Sequence, residues 1–229
     1  MQDGVVEAIR RGDVPAIEQF LSANPGAATA RVDGQRTLLH VATDWPGHFP
    51  NVRQTIEVLV AHGAELNAAF HGKHSETALH WAASSDDVAA LDALLDLGAD
   101  IESPGAVIGG GTPMSDAVAF GQWRAARRLI ERGARTTIWQ AAALGMMERL
   151  RECLAADPKP TSDEITNAFW NACHGGQLEA AQYLLGYGAE LNWVGHGGST
   201  ALDSAAESGS EELVEWLRKQ GAAASKGRV

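Results

Sequence analysis

The sequence predicts an all-α fold: a solenoid of about seven helix-turn-helix units joined by short finger loops. Three observations predict it. A phrase opening on threonine recurs as Thr37-Leu38-Leu39-His40-Val41-Ala42, Thr77-Ala78-Leu79-His80-Trp81-Ala82, Thr112-Pro113-Met114-Ser115-Asp116-Ala117 and Thr200-Ala201-Leu202-Asp203-Ser204-Ala205. A second phrase recurs with it, following the first three copies as Gly63-Ala64-Glu65-Leu66-Asn67, Gly98-Ala99-Asp100-Ile101 and Gly133-Ala134-Arg135, and preceding the fourth as Gly188-Ala189-Glu190-Leu191-Asn192. Between the two lies an apolar pattern of helical period, introduced by a glycine.

Within a unit, the threonine begins a short helix and its hydroxyl can cap the first turn. The leucine in the third place and the small alanines after it form a narrow buried stripe that lets neighbouring units approach closely. A glycine then breaks the first helix, at Gly12, Gly121, Gly145, Gly176 and Gly209. The second helix carries apolar residues three and four apart, as in Val14, Ile17, Leu21, in Val88, Leu91, Leu94, Leu95 and in Leu178, Ala181, Leu184, Leu185. Val5, Leu39, Leu79, Met114, Ile138, Phe169 and Leu202 fill the leucine place from the first unit to the seventh. The first and fifth units rest on helix patterning and glycine placement alone. Terminal units need a wet outer face. Glu7, Arg10, Arg11 and Glu18 supply it at one end, and Glu211 and Arg218 at the other. The repeat domain is expected over 1–224, with a frayed tail at 225–229. A missing finger after Arg135 predicts a kink at 134–138 that divides 1–135 from 136–224.

The threonine phrase at this period resembles the ankyrin repeat, whose signature is T-P-L-H-x-A, and the resemblance covers nearly the whole chain. It is similar to small stand-alone bacterial ankyrin-repeat proteins without an attached effector domain. The resemblance implies that His40 and His80 brace a turn by hydrogen bonding. Trp139 and Trp170 are expected in that same place, where an indole N–H can serve as a donor. It also implies a non-catalytic recognition role, with a protein partner bound by the finger tips and the concave face of the first helices.

Composition agrees with an ordinary globular chain of 229 residues, 45% of them hydrophobic. A formal net charge of -11 disfavours a nucleic-acid partner and favours solubility or a basic one. Cys153 and Cys173 make no disulfide framework and read as small core fillers. No signal peptide opens the chain and no apolar run suits a membrane span, so the expected location is the cytoplasm, with no membrane partner. Glycines at 105 and 109–111 invite a phosphate-loop reading, but no Gly-Lys-Ser/Thr follows, so a turned finger is expected.

Departures from the repeat mark the candidate site. Unit two carries an insertion, Asp44-Trp45-Pro46-Gly47-His48-Phe49-Pro50-Asn51, in which prolines forbid a regular helix. A longer finger over 68–76 precedes unit three. By position, the binding face would hold Asp44, Trp45, Trp81, Ser84, Ser85, Asp116 and Phe120, with Arg36, Phe70, His71, Lys73, His74 and Glu76 from adjacent fingers. His48 and Phe49 join them from the insertion. Trp45, Phe49, Phe70 and Trp81 would be the anchors. The set could converge on one aromatic-walled pocket. That leaves an alternative, a small-molecule binder or enzyme, with Asp44, His48 and His74 as candidate acid/base groups. Asp86 and Asp87 are expected to cap the second helix of unit three. No metal-ligand or nucleophile motif is present, and no cofactor is expected.

Overall fold

The computed structural model describes residues 2–225, with Gln2 described in its backbone only. Fourteen α-helices form seven hairpins among them: α1 (Gln2–Arg11) with α2 (Val14–Ala23), α3 (Leu38–Ala42) with α4 (Val52–Ala61), α5 (Ala78–Ser84) with α6 (Val88–Asp96), α7 (Pro113–Ala119) with α8 (Trp123–Glu131), α9 (Ile138–Ala143) with α10 (Met147–Ala155), α11 (Ser162–His174) with α12 (Leu178–Gly186), and α13 (Ala201–Ser208) with α14 (Glu211–Lys219). Extended structure among the described residues is limited to the isolated bridges Val32–Arg36 and Val194–Thr200, each closing a finger.

The chain divides into two compact blocks, one ending at Arg135 and the other beginning at Thr136. In the first block, α1, α3, α5 and α7 pack in succession, as do α2, α4, α6 and α8. In the second, α11 packs between α9 and α13, and α10 packs on α12. The alanine stripe is what allows this spacing. Ala42, Ala82, Ala83, Ala117, Ala142 and Ala172 are all completely buried. Leu39, Leu79, Met114 and Phe169 fill the interior beside them. Cys173 is buried in the second block, where burial pushes its thiol well above the ordinary range, and Cys153 is half-buried.

The punctuation is local chemistry. Gly12 has φ of +64°, and a Cβ there would stand 2.1 Å from the Pro50 carbonyl oxygen of the insertion. Glycine is therefore required twice over, by conformation and by close approach. The Asn51 side-chain amide donates to the Gly12 carbonyl at 2.9 Å and ties the insertion to unit one. Glu7, Arg10, Arg11 and Glu18 are exposed on the first unit, as Glu211 and Arg218 are on the last.

Three expectations change. In unit five, Thr137 rather than Thr136 caps α9, and its backbone N–H donates to Gln140 Oε1 at 2.8 Å. Trp139 therefore holds the leucine place and Gln140 the brace, one residue later than expected. Two consecutive threonines left the register open, and the glutamine that can reach back chose between them. Asp86 does not cap α6. It accepts from the Ala125 amide at 2.7 Å and so caps α8 of the next unit, while Asp87 caps α6 through the Ala90 amide. Ser225 is not frayed, because its amide donates to Asp203 Oδ2 at 3.0 Å. The rest of the expected tail, 226–229, lies outside the described residues.

Candidate functional site

The brace comes first, because it positions the fingers. His40 Nδ1 accepts the Thr37 backbone N–H at 3.3 Å, so its Nε2 carries the proton and donates to the Glu76 carbonyl at 3.0 Å. His80 repeats this with the Thr77 N–H at 3.1 Å and the Gly111 carbonyl at 3.3 Å. Each imidazole thus ties its own turn to the residue just before the next threonine. Burial pushes both histidines down to about 4, and the carbonyl contacts only partly oppose this. They stay neutral, which the acceptor role of Nδ1 requires. Trp170 does the same work in the second block: its indole N–H donates to the Ser199 carbonyl at 2.9 Å, again just before a threonine.

Around the first of these braces an aromatic cluster forms. Trp81, from α5, meets His40 edge-on at 4.9 Å between centroids and Phe70 at 5.4 Å. The Phe70 amide donates to the Glu76 carbonyl at 2.7 Å, which folds the 70–76 finger back on itself. The His71 amide donates to the Gln35 carbonyl and joins that finger to the one before it. The insertion is held from the other side. The His48 amide donates to Asp87 Oδ2 at 2.6 Å, and His48 Nε2 donates to the Ser85 carbonyl at 3.1 Å. Arg36 clamps Asp44 and Asp33, each at 2.8 Å.

These restraints shape a groove of about 210 Å³, lined by Asp44, Trp45, Glu76, Trp81, Ser84, Ser85, Val107 and Phe120. Its rim is unusually apolar for a surface: Trp45 is 80% exposed, Phe120 49% and Val107 38%. Its acid side is strained electrostatically. Burial raises Glu76 from its ordinary value, and the Trp81 indole and His74 oppose the rise. Asp116 does not line the groove but interacts with Glu76. Its side chain is completely buried, and neither carboxyl oxygen has a hydrogen-bond partner. Burial, and then the Glu76 charge, push it up to about 7; the nearby Ile108 and Val107 amides oppose this without completing a bond.

A second, wider cavity of about 660 Å³ lies between two fingers, lined by 70–75 with Gly105, Ala106 and Gly110. The glycine-rich finger is tightly turned by bonds from the Gly105 amide to the Gly110 carbonyl and from the Ala106 amide to the Gly111 carbonyl.

The expected residues therefore divide. Asp44, Trp45, Trp81, Ser84, Ser85 and Phe120 meet in the groove. Phe70, His71 and His74 face the wider cavity instead. His48 and Phe49 line neither; His48 anchors the insertion, Arg36 clamps Asp44, and Asp116 is buried. The one converging pocket expected from the sequence is two separate cavities, and Asp44, His48 and His74 do not share either. The finger folds back at Phe70 and divides them. Val107 was missed, though an apolar pair inside a glycine-rich finger was its signal. Among the described residues, no group of three His, Cys, Asp or Glu is placed to hold a metal ion, and no helix is long and apolar enough to cross a membrane.

Comparison with known proteins agrees with this architecture. The family model "Ankyrin repeats (3 copies)" matches residues 5–105 and 138–226. An ankyrin repeat and KH domain-containing protein of Caenorhabditis briggsae is 30% identical over 77% of this chain. Its counterpart mask-1 of Caenorhabditis elegans is 28% identical over 95%. The chain spans only 7% and 8% of those two proteins' lengths. The human ASB11 ankyrin repeat domain superposes with a TM-score of 0.56 at 19% identity, covering 98% of each chain, a likeness of fold. Braced threonine turns, paired helices and the matched family model lead to one conclusion: this chain belongs to the ankyrin-repeat family, whose repeats are generally protein-interaction modules.

Proposed function

We propose that this chain is a non-catalytic recognition module that docks a protein partner on the first helices and fingers of units two to four. The groove supports this reading, above all the 80% exposure of Trp45 beside the exposed Phe120. A tryptophan left in water gains most from being covered by a partner, and such aromatics dominate binding energy at interfaces. The volume of about 210 Å³ suits one inserted side chain better than a whole ligand, for which pockets run from roughly 300 Å³ upward. The surroundings are preorganised. His48, Arg36 and the Phe70 turn hold the rim in place, so little conformational freedom is lost on docking. Cys153 and Cys173 are both unpaired, which suits the reducing cytoplasm, and that is the compartment we assign.

The test is affinity capture in the native host with the wild-type chain and with the Trp45→Ala/Trp81→Ala double variant. A partner held by the first and lost from the second, with circular dichroism unchanged, is the expected result. Equal capture by both chains overturns the assignment of this face.

A further inference from the structure

Resting on that reading, we propose that the groove receives an arginine side chain of the partner, its guanidinium stacked on Trp81 and Trp45 and facing the Glu76 carboxylate. Charge, shape and size each lead there. Three ring-bearing side chains, Trp45, Trp81 and Phe120, line the groove, and aromatic faces attract cations, tryptophan most strongly. Asp44 has its cations, Arg36 at 2.8 Å and Arg10 at 4.0 Å, but Glu76 and Asp116 are short of positive partners. Glu76 is 8% exposed and forms no ion pair with a lysine or arginine among the described residues. Asp116 beside it is completely buried with both oxygens unsatisfied. An arriving cation would relieve this accumulated negative charge, and an arriving apolar side chain would not. The whole chain, at a net charge of -11, attracts basic segments from a distance. Between the two basic side chains, the flat guanidinium fits better: it stacks on indole and is less strongly hydrated than an ammonium. The hydroxyls of Ser84 and Ser85 border the groove and can accept its remaining N–H groups.

The experiment uses the full chain, labelled with ¹⁵N, and a blocked glycine-serine nonapeptide with one central arginine. The same peptide with citrulline keeps the planar shape and removes the charge; a third carries leucine. The expected result is saturable movement of the Trp45 and Trp81 indole N–H signals with the arginine peptide. Trp170, Trp193 and Trp216 should stay still. Citrulline and leucine peptides should bind at least fivefold more weakly, and Glu76→Gln should weaken the arginine peptide at least threefold. Retained dispersion of the amide spectrum shows that the variant is folded. Equal binding of the citrulline or leucine peptide, or an unchanged affinity in Glu76→Gln, overturns the inference. If partner capture still depends on Trp45 and Trp81 while the arginine peptide moves nothing, the docking face stands and the guanidinium is wrong.

Discussion

The two blocks solve one problem with different side chains. In the block ending at Arg135, His40 and His80 tie each turn to the next finger. In the block beginning at Thr136, Trp170 makes the same tie to Ser199, while Gln140 and Asp203 reach back to the threonine backbone. The fold therefore demands a donor aimed at one carbonyl and an acceptor for one amide, and imidazole is only one way to supply both. The difference has a consequence in charge. Indole and carboxamide do not titrate, whereas the two histidines can each take a proton that the folded state excludes.

Acid should separate the blocks, and this is the largest effect expected. The folded histidines lie at about 4, below the ordinary value of 6.5. Their contribution is complete above pH 6.5 and is lost as pH falls through 4, because the unfolded chain binds the protons first. Each shift corresponds to about 3 kcal/mol at its limit. Amide hydrogen exchange at pH 7 and pH 4.5, read in the Asp116→Asn background so that the opposing titration of that carboxyl is removed, should show protection falling in the first block and holding in the second. A uniform loss in both would break the comparison. In the second block, burial raises Asp203 but hydrogen bonds from Thr200 and Ser225 outweigh it and hold the carboxylate at about 2. Its contribution is lost only as pH falls from about 4 toward 2.

Next in size is Trp170→Ala. It removes a buried ring and the Ser199 tie together, and should cost about 3–5 kcal/mol in denaturant unfolding. Trp170→His should recover part of that loss and import the acid sensitivity of the first block. If the histidine variant stays insensitive between pH 6.5 and 4, the brace is not what confers it.

Asp116→Asn works in the opposite direction. The folded carboxyl lies at about 7 against an ordinary 3.8, so ionising it opposes folding. The penalty is absent below pH 4, grows through the window from 4 to 7 and is complete above it. Asparagine should stabilise the chain by up to about 4 kcal/mol at pH 8 and by nearly nothing at pH 4. Thermal unfolding at the two pH values reads this directly, and a destabilised variant at pH 8 would show the charge to be satisfied. Smallest is Trp45→Ala, whose side chain is held by little but water. Its stability should change by less than about 0.5 kcal/mol, while partner capture falls.

Much of the site was legible because it breaks the repeat. Trp45 stands in an insertion, Trp81 where unit two has Val41, and Phe120 at the end of a first helix where a small residue would suffice. An irregular residue at a periodic position is not demanded by the repeat, so it pointed to the site. Other residues misled for equally physical reasons. His48 looked like chemistry and is an anchor, since its partners Asp87 and Ser85 lie in the next unit. Asp86 looked like a cap for the helix beside it, yet its left-handed backbone turns it toward Ala125.

By itself, the sequence determined the succession of hairpins, because threonine caps, glycine breaks and apolar spacing act over a few residues and need no distant partner. Only the tertiary structure decided which side chains share a cavity. That outcome depends on where the finger folds at Phe70, how the insertion is tied to its neighbours, and which carboxylates are buried without partners. These are contacts between residues some forty positions apart, made by irregular loops whose positions no local pattern encodes.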